Sequence, residues 1–599
     1  MSTTSVTSNN LQKMRLQGRS LVRGAASGKL LWADVGLSFW GGVDPLTGMI
    51  VDHHHPLMGE CMAGRILAIP SGRGSCTGSG IILELLMRGY GPAALVFQHQ
   101  EEILSLGVIV ASRMFNLSIP VLLLSPNDFA SLREWKTACV KNNIVSRADL
   151  TSSIEPELPA HEKNLPTVSL SSKDQDMLVG KHGPAAKSAF EILLKFAELQ
   201  GASQFIDVSQ AHIDACIYTG PSGVLFVQKL LDLGAKFTIT TTLNSISIDR
   251  RRWQEMGMDP TVSAEAERLA DAYMAMGACM SFTCAPYLRD KIPEMGENIG
   301  WAESNAVVYA NSVLGARTQK YPDFLDVCIA LTGRAPLSGC HVEENRKPSL
   351  VLQVPHIAEA DDLFYPVAGY LIGQLSGPNI PLIIGLENAH PSVSDLKAFG
   401  AAFATTASAA MFHIRGVTPE ASKGSMASYQ LQLPQPIVLS KQDLLKTYKQ
   451  LNTAKSGTID LISLGSPHFS LSEFSTLTTL ISALSPNAPS RAVIPVTITT
   501  SRQIYSQAMH AGYIKILEDF AATIVTDTCW CMLTEPVVPI GSKTIMTNSA
   551  KYAHYAPGLV NRSVVLGGLK ECVDVAVGRI DVLMREVPEW LKLSEDVYG

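Results

Sequence analysis

One local pattern recurs along this chain and constrains its fold more than anything else. A short apolar run is followed by a turn of glycine and small polar residues, and then by an amphipathic stretch. RILAIP-SGRGSCTGSG-IILELLMRG is the sharpest case, and FIDVSQAHID, DLISLGSPHFSLSEF, ATIVTDTC and IMTNSAKYAHY repeat the theme. Strand, turn and helix in that order build α/β sheets. Open sheets of this type place ligands beyond the carboxyl ends of their strands, so the polar turns are where a site is expected.

The chain has 599 residues, too many for one core, and about two to four domains are expected. A small β/α domain is expected over residues 18–145, after an irregular arm at 1–17. A Pro-, Ser- and charge-rich linker at 146–168 then leads to a large multi-lobed α/β domain at 169–599. The net charge of −6 leaves no electrostatic footprint for nucleic acid. No apolar run reaches the roughly 18 residues that would span a bilayer. The opening MSTTSVTSNN lacks the apolar core of a secretory signal, so a cytoplasmic protein is expected. Its 11 cysteines are then core thiols or metal ligands rather than a disulfide framework.

In the first domain, glycines 72, 74, 78 and 80 let the backbone approach a ligand closely. The amides around Ser75, Cys76 and Thr77 lie where a helix begins, a position that favours an anion. Arg73 adds a guanidinium suited to a carboxylate. No Lys-Ser/Thr closes the turn, so it is not a P-loop. The turn reads as a carboxylate site carrying the Ser75 hydroxyl, against the alternative of a loop that only caps its helix. His53, His54 and His55 do not read as a zinc site, because strand neighbours point to opposite faces.

In the second domain, two polar clusters follow strand-like runs: one ends in His212 and Asp214, the other in Thr242 and Asn244. The stretch 277–317 combines Cys284 in TCAPY with Glu297, Glu303, Ser304 and Asn305, and a helical run ends at Gly315. It reads as a cysteine-bearing loop, a polar turn and a helix whose N-terminus faces a site. The alternative is a core thiol with surface carboxylates. Cys340-His341, the Gly465–His468 turn, the Cys529-x-Cys531 pair, and Asn548, Ser549 and Lys551 are further candidates.

These motifs resemble the aconitase X family of the aconitase superfamily. SFWGGVDPLTG and SGRGSCTGSG look like its small domain; TCAPY, GENIGWAESNAVVYANSVLGART, GSPH, DTC and TNSAKYAHY look like its large one. The resemblance runs over roughly residues 18–590. It implies an iron–sulfur hydro-lyase whose small swivelling domain closes over a cluster-bearing domain. Small before large on one polypeptide resembles the single-chain type, which implies dehydration of cis-3-hydroxy-L-proline. The two-subunit type acts on mevalonate 5-phosphate, and a non-catalytic iron–sulfur or metabolite-sensing protein is the reading from another class. The partner expected is a small hydroxyproline-type amino acid, in a monomer or small homo-oligomer.

The resemblance places cluster ligands at Cys284 and Cys529. Ser466 stands where the family pattern has a third cysteine, so Cys340 is the expected replacement, with Cys531 and Cys76 behind it. A two-iron cluster is favoured over three- or four-iron forms. By the same resemblance Ser75 takes the α-proton; His212, Glu303 and Lys551 are the candidates to protonate the departing hydroxyl. The substrate carboxylate is expected on Ser71, Gly72, Arg73, Gly74 and Thr77, or on Ser549 and Lys551. Asp214, Thr242, Asn244, Ser304 and Asn305 complete the expected substrate contacts.

Overall fold

The structure, a computed structural model, describes residues 15–52, 55–147, 168–357, 359–422, 433–455, 458–485, 489–579 and 587–592. The expected arm at 1–14, most of the expected linker (148–167), His53 and His54 lie outside the described residues. Among the described residues, no helix is long and apolar enough to cross a membrane.

Strands are numbered in chain order. An eight-stranded sheet holds β1 (Arg15–Gln17), β2 (Arg19–Val22), β3 (Ala25–Trp32), β4 (Ile66–Ile69), β5 (Ala94–Phe97), β6 (Val121–Leu123), β7 (Thr137–Lys141) and β8 (Ile144–Ser146). Its order is β1-β8-β7-β3-β4-β5-β6-β2. The strands β3 to β6 pair in parallel. The apolar runs ILAI and ALVF are buried at every residue, as central parallel strands covered on both faces must be. Arg15–Gln17, expected as the end of an irregular arm, pairs antiparallel with β8.

The chain divides into two compact units, the first of which takes in segments beyond the expected linker. The first unit comprises the described residues up to Val208 together with Thr219–Ile239 and Tyr321–Ser338. Besides the sheet it contains the helices Pro184–Gln200, Pro221–Asp232 and Leu325–Thr332, and the antiparallel pair β9 (Phe205–Asp207) and β13 (Arg334–Pro336). Burial decides this membership. Glu84, 2% exposed, accepts the Ser222 amide at 2.8 Å and so caps the helix Pro221–Asp232 from the neighbouring helix Gly78–Arg88.

The second unit comprises Ser209–Tyr218, Thr240–Lys320 and residues from Gly339 onward. It holds three parallel sheets. One is β11-β10-β12, from β10 (Gln210–Ile213), β11 (Thr240–Leu243) and β12 (Gly300–Trp301). The next is β16-β15-β14-β17, from β14 (Leu350–Gln353), β15 (Pro381–Ile384), β16 (His413–Ile414) and β17 (Ile437–Val438). The last is β20-β19-β18-β21-β22, from β18 (Leu461–Leu464), β19 (Val496–Thr500), β20 (Ala522–Thr526), β21 (Thr544–Thr547) and β22 (Ser563–Leu566). The Ile246 amide donates to the Asp527 carbonyl at 2.8 Å and ties the first sheet to the last. Gly465 leaves β18 with φ 93°, and a Cβ there would lie 2.2 Å from the Thr499 carbonyl oxygen, so only glycine turns this corner.

Arg334 makes a two-pronged contact with Asp174, Nε to Oδ1 at 2.8 Å and Nη2 to Oδ2 at 3.1 Å. Asp174 is also the N3 partner of Ser171 in a capping box. Burial pushes the Asp174 carboxyl up, but the Arg334 fork and Ser171 outweigh it and hold it below the usual range. A depressed carboxyl stabilises the fold above its unfolded pKa and loses that contribution as pH falls through its folded pKa. Asp174→Ala is expected to cost about 3 kcal/mol at pH 7, because it removes the buried two-pronged partner of Arg334 and leaves the guanidinium only the exposed Asp207, 3.1 Å away. In urea titrations the gap between variant and wild type should close only below about pH 4; a gap independent of pH would contradict the assignment.

Candidate active site

The residues that can do chemistry in the second unit lie just past the C-terminal ends of parallel strands. Asp214 follows β10, Asn244 and Ser245 follow β11, and Glu303 follows β12. The Gly465–His468 turn follows β18, Asp527–Cys531 follow β20, and Ser549 and Lys551 follow β21. This is the placement that open α/β sheets give their ligands.

Three sulfurs meet in one place. Cys529 is hydrogen-bonded to both Cys284 and Cys531. Those two bonds, then the Lys551 ammonium and the Ser245 hydroxyl, hold the Cys529 thiol well below its usual range against the effect of burial. Burial, and then the bond to Cys529, pushes Cys284 up; the bond to Cys529 and burial do the same for Cys531. Of the three, Cys529 is the thiol whose ionisation the surroundings favour. Cys529 and Cys531 converge because the chain folds back on itself, the Met532 amide donating to the Cys529 carbonyl at 2.9 Å.

Cys340, the expected third thiol, lies elsewhere. It sits in the turn Gly339–His341, within the charge field of Arg346, Glu420 and Arg317, and burial raises it to about 11. Cys76 belongs to the other unit. It is Cys531, in the weak C-x-C signal, that the fold brings against Cys529.

A chain of carboxylates and amides runs alongside the sulfurs. Lys551 Nζ donates to Glu303 Oε1 at 2.8 Å. Burial alone would lower Lys551, but Glu303 and the three sulfurs outweigh it and keep the ammonium charged. Asn305 Nδ2 donates to the same Glu303 oxygen and to the Cys284 carbonyl, the latter at 3.0 Å. The Tyr287 hydroxyl donates to Asn305 Oδ1 at 2.8 Å. Asn244 Nδ2 bridges Asp214 and the second Glu303 oxygen, the latter at 3.4 Å. Glu303 is also the N-cap of the helix Ser304–Tyr309, which places Ser304 at its first turn. A wider π turn, Ala310–Leu314, continues the helix to Gly315.

His212 lies apart from this chain. Its Nδ1 pairs with the Thr242 hydroxyl at 2.8 Å, its ring lies 6.0 Å from that of Trp301, and burial lowers its pKa to about 3. Burial thus disfavours its imidazolium form near pH 7. Ser549 caps the helix Ala550–Val560 and donates to the Ser466 carbonyl.

The turn after β18, a candidate in the sequence, places His468 between the loops of Cys284 and Cys529. His468 Nε2 donates to the Thr528 carbonyl at 2.8 Å, and its Nδ1 accepts from the Thr283 hydroxyl at 3.1 Å. Its backbone amide donates to Cys284 Sγ at 3.3 Å. Lys397, only 3% exposed, clamps this turn: Nζ donates to the His468 carbonyl at 2.9 Å and to the Glu473 carboxylate. The one signal of Lys397 in the sequence is a lysine on the apolar face of the helix Val393–Thr406. Arg289, five residues past Cys284, is half-buried, and no hydrogen bond or ion pair to its guanidinium occurs among the described residues.

In the first unit, Ser75 Oγ lies 3.0 Å from Thr77 Oγ1 and accepts the Thr77 amide at 3.3 Å. Thr77 precedes the helix Gly78–Arg88 without a side-chain cap bond. Ser71 and Gly72 lie beside Leu37, and a Cβ at Gly72 would meet Glu101 Oε1 at 2.8 Å. Gly74 has φ 82°. Arg73, expected to clamp a carboxylate, is occupied by Asp52 at 2.7 Å. His55 faces inward and donates to the Val35 carbonyl at 3.1 Å.

Among the described residues, no group of three or more His, Cys, Asp or Glu side chains has the arrangement of a metal site. The fit to iron–sulfur chemistry is one of donor type: three soft sulfurs beside an ammonium that favours ionisation of Cys529.

Four family descriptions match the chain: the aconitase X swivel domain over residues 15–146, and the aconitase X first, second and third domains over 167–344, 348–449 and 459–578. A curated cis-3-hydroxy-L-proline dehydratase of Hypocrea jecorina is 49% identical over 568 residues, 94% of this chain and 95% of that protein. One of Pseudomonas aeruginosa is 48% identical over 582 residues, 96% and 98% of the two chains. The crystal structure of Thermococcus kodakaraensis aconitase X in its holo-form is 29% identical, with a TM-score of 0.61, over 68% of this chain and all of that one.

Lys397→Met removes the clamp on the 465–468 turn and leaves Glu473 without its partner. It is expected to cost about 3–5 kcal/mol in urea. Peptide mapping after iodoacetamide treatment of the metal-free protein should show Cys284 labelled faster than in wild type. Unchanged labelling would mean that Lys397 does not hold the turn.

Proposed function

The chain belongs to the aconitase X family, and from that membership we propose that it removes water from cis-3-hydroxy-L-proline to give Δ1-pyrroline-2-carboxylate. The observation that carries this reading is near-full-length identity of 49% and 48% to two curated dehydratases of that name. A cytoplasmic location, compatible with free cysteines, is part of the same proposal.

In this substrate the 3-hydroxyl and the carboxylate share one ring face, so the α-hydrogen is anti to the leaving hydroxyl. An anti elimination needs a base on one side and an acid on the other. Ser75 is the proposed base, its oxygen held by the Thr77 amide and hydroxyl. Lys551 is the proposed acid: Glu303 orients its ammonium, and Asn305 and Asn244 hold Glu303 in turn. The electron pair of the broken C–H bond forms the C2–C3 double bond as the C3–O bond breaks. The hydroxyl takes a proton from Lys551 and leaves as water, and the enamine product tautomerises to the Δ1-imine.

Cys284, Cys529 and Cys531 are the proposed ligands of an iron–sulfur cluster, a two-iron form being favoured because the family's third cysteine position is Ser466. Such a cluster supplies Lewis acidity toward an oxygen ligand. With Arg73 bound to Asp52, Arg289 is the proposed seat of the substrate carboxylate, since a guanidinium without a partner is suited to a two-pronged bond.

Anaerobically purified enzyme should form Δ1-pyrroline-2-carboxylate from cis-3-hydroxy-L-proline. Absence of product from iron-loaded protein, or turnover of mevalonate 5-phosphate in its place, defeats the reading. Ser75→Ala should lower kcat by at least about 100-fold and leave the iron spectrum unchanged. Arg289→Met should raise KM roughly 10- to 100-fold with a smaller fall in kcat. An equal fall in kcat and kcat/KM would instead assign Arg289 to the transition state alone.

A further inference from the structure

Two residues with a left-handed backbone stand just ahead of the sulfurs. Phe282, at φ 35°, comes two places before Cys284, and Asp527, at φ 67°, comes two places before Cys529. A positive φ is uncommon in any residue but glycine, and in a bulky one it is a clear outlier. Strain of this kind persists only where the surroundings fix it, and it gathers at functional sites. Here both residues are buried, at 1% and 0% exposure.

Charged and backbone groups together fix Asp527. Arg502 grips its carboxylate with two prongs, Nε to Oδ1 and Nη2 to Oδ2, each at 2.6 Å. The Arg250 amide donates to the same Oδ2 at 3.2 Å, and the Ile246 amide donates to the Asp527 carbonyl at 2.8 Å. Asp249 accepts the amide of Thr526, the last residue of β20, at 3.0 Å. The same segment fixes Phe282. The Arg250 guanidinium lies 5.9 Å from the centre of its ring, and the Thr283 amide donates to the Leu243 carbonyl at 3.2 Å. Residues 243–252 therefore bear on both cysteine loops. Arg502 reaches both as well, since its Nη1 lies 3.8 Å from Met280 Sδ in the Cys284 loop.

On the reading of Cys284, Cys529 and Cys531 as iron–sulfur ligands, we infer that Asp527 and Phe282 are positioning residues for that site. Held left-handed by Arg502 and by the segment 243–252, they turn the two loops so that Cys529 and Cys284 face each other. A right-handed or extended residue at either place would send the next two residues in another direction, because rotation about φ carries everything that follows.

Iodoacetamide labelling of the full-length metal-free protein, read by peptide mapping, tests the placement, with Cys572 as the control. Cys572 is buried in the core of the last sheet, so its labelling reports loss of the fold rather than of the two loops. Arg502→Met and Asp527→Ala should each speed labelling of Cys284 and Cys529 at least about tenfold, with Cys572 unchanged. Asp527→Asn should stay close to wild type, because asparagine visits the left-handed region and keeps an acceptor for Arg502. In the iron-loaded protein, Asp527→Ala should shift the visible spectrum of the cluster and release iron to a chelator at least about tenfold faster; Asp527→Asn should restore both. Unchanged labelling in Arg502→Met and Asp527→Ala overturns the inference. So does Cys572 labelled faster in step with Cys529, since the pair would then serve the fold at large. Wild type that binds no iron defeats the cluster reading alone, and the labelling still decides whether Arg502 and Asp527 hold the loops.

Discussion

A buried ammonium and three thiols occupy neighbouring positions in the second unit where water scarcely reaches. The charge is not tolerable alone, because an unpaired buried ion costs several kcal/mol. Lys551 stays protonated because Glu303 and the sulfurs surround it, and the two thiols and that ammonium favour ionisation of Cys529. Much of the local architecture serves this mutual neutralisation. Asn305 and Asn244 saturate the Glu303 oxygens, Tyr287 orients Asn305, and Asp214 orients Asn244.

The parallel sheets set the distances that make this possible. The first and last of them contribute residues from the carboxyl ends of their strands, so groups hundreds of positions apart arrive on one side. The turn after β18 is the keystone. Gly465 lets the chain pass under Thr499, His468 joins the Cys284 loop to the Cys529 loop, and Lys397 reaches in from the neighbouring lobe. The price of this rigidity is a buried lysine that must keep its partner Glu473.

In the first unit the glycine turn works through backbone more than through side chains. The turn presents amides and one serine, and its only guanidinium is engaged with Asp52.

The order of strands, turns and helices was readable along the chain because each rests on local chemistry: apolar runs for buried strands, Gly-Ser turns, and Ser-x-x-Asp caps such as Ser171–Asp174. Cys284, Glu303, Asn305 and Lys551 were visible because thiols, carboxylates and amides crowd loops where a core would hold none. Which cysteine joins Cys284 and Cys529 was not readable. Cys340 and Cys531 differ in what surrounds them after folding, and that depends on where the β20 loop turns back. For the same reason the lysine clamp, the suppressed charge of His212 and the reach of the first unit to Ser338 came only from the tertiary structure. Burial and pairing between distant segments belong to the folded chain as a whole, whereas periodicity and turn chemistry are already present in a dozen consecutive residues.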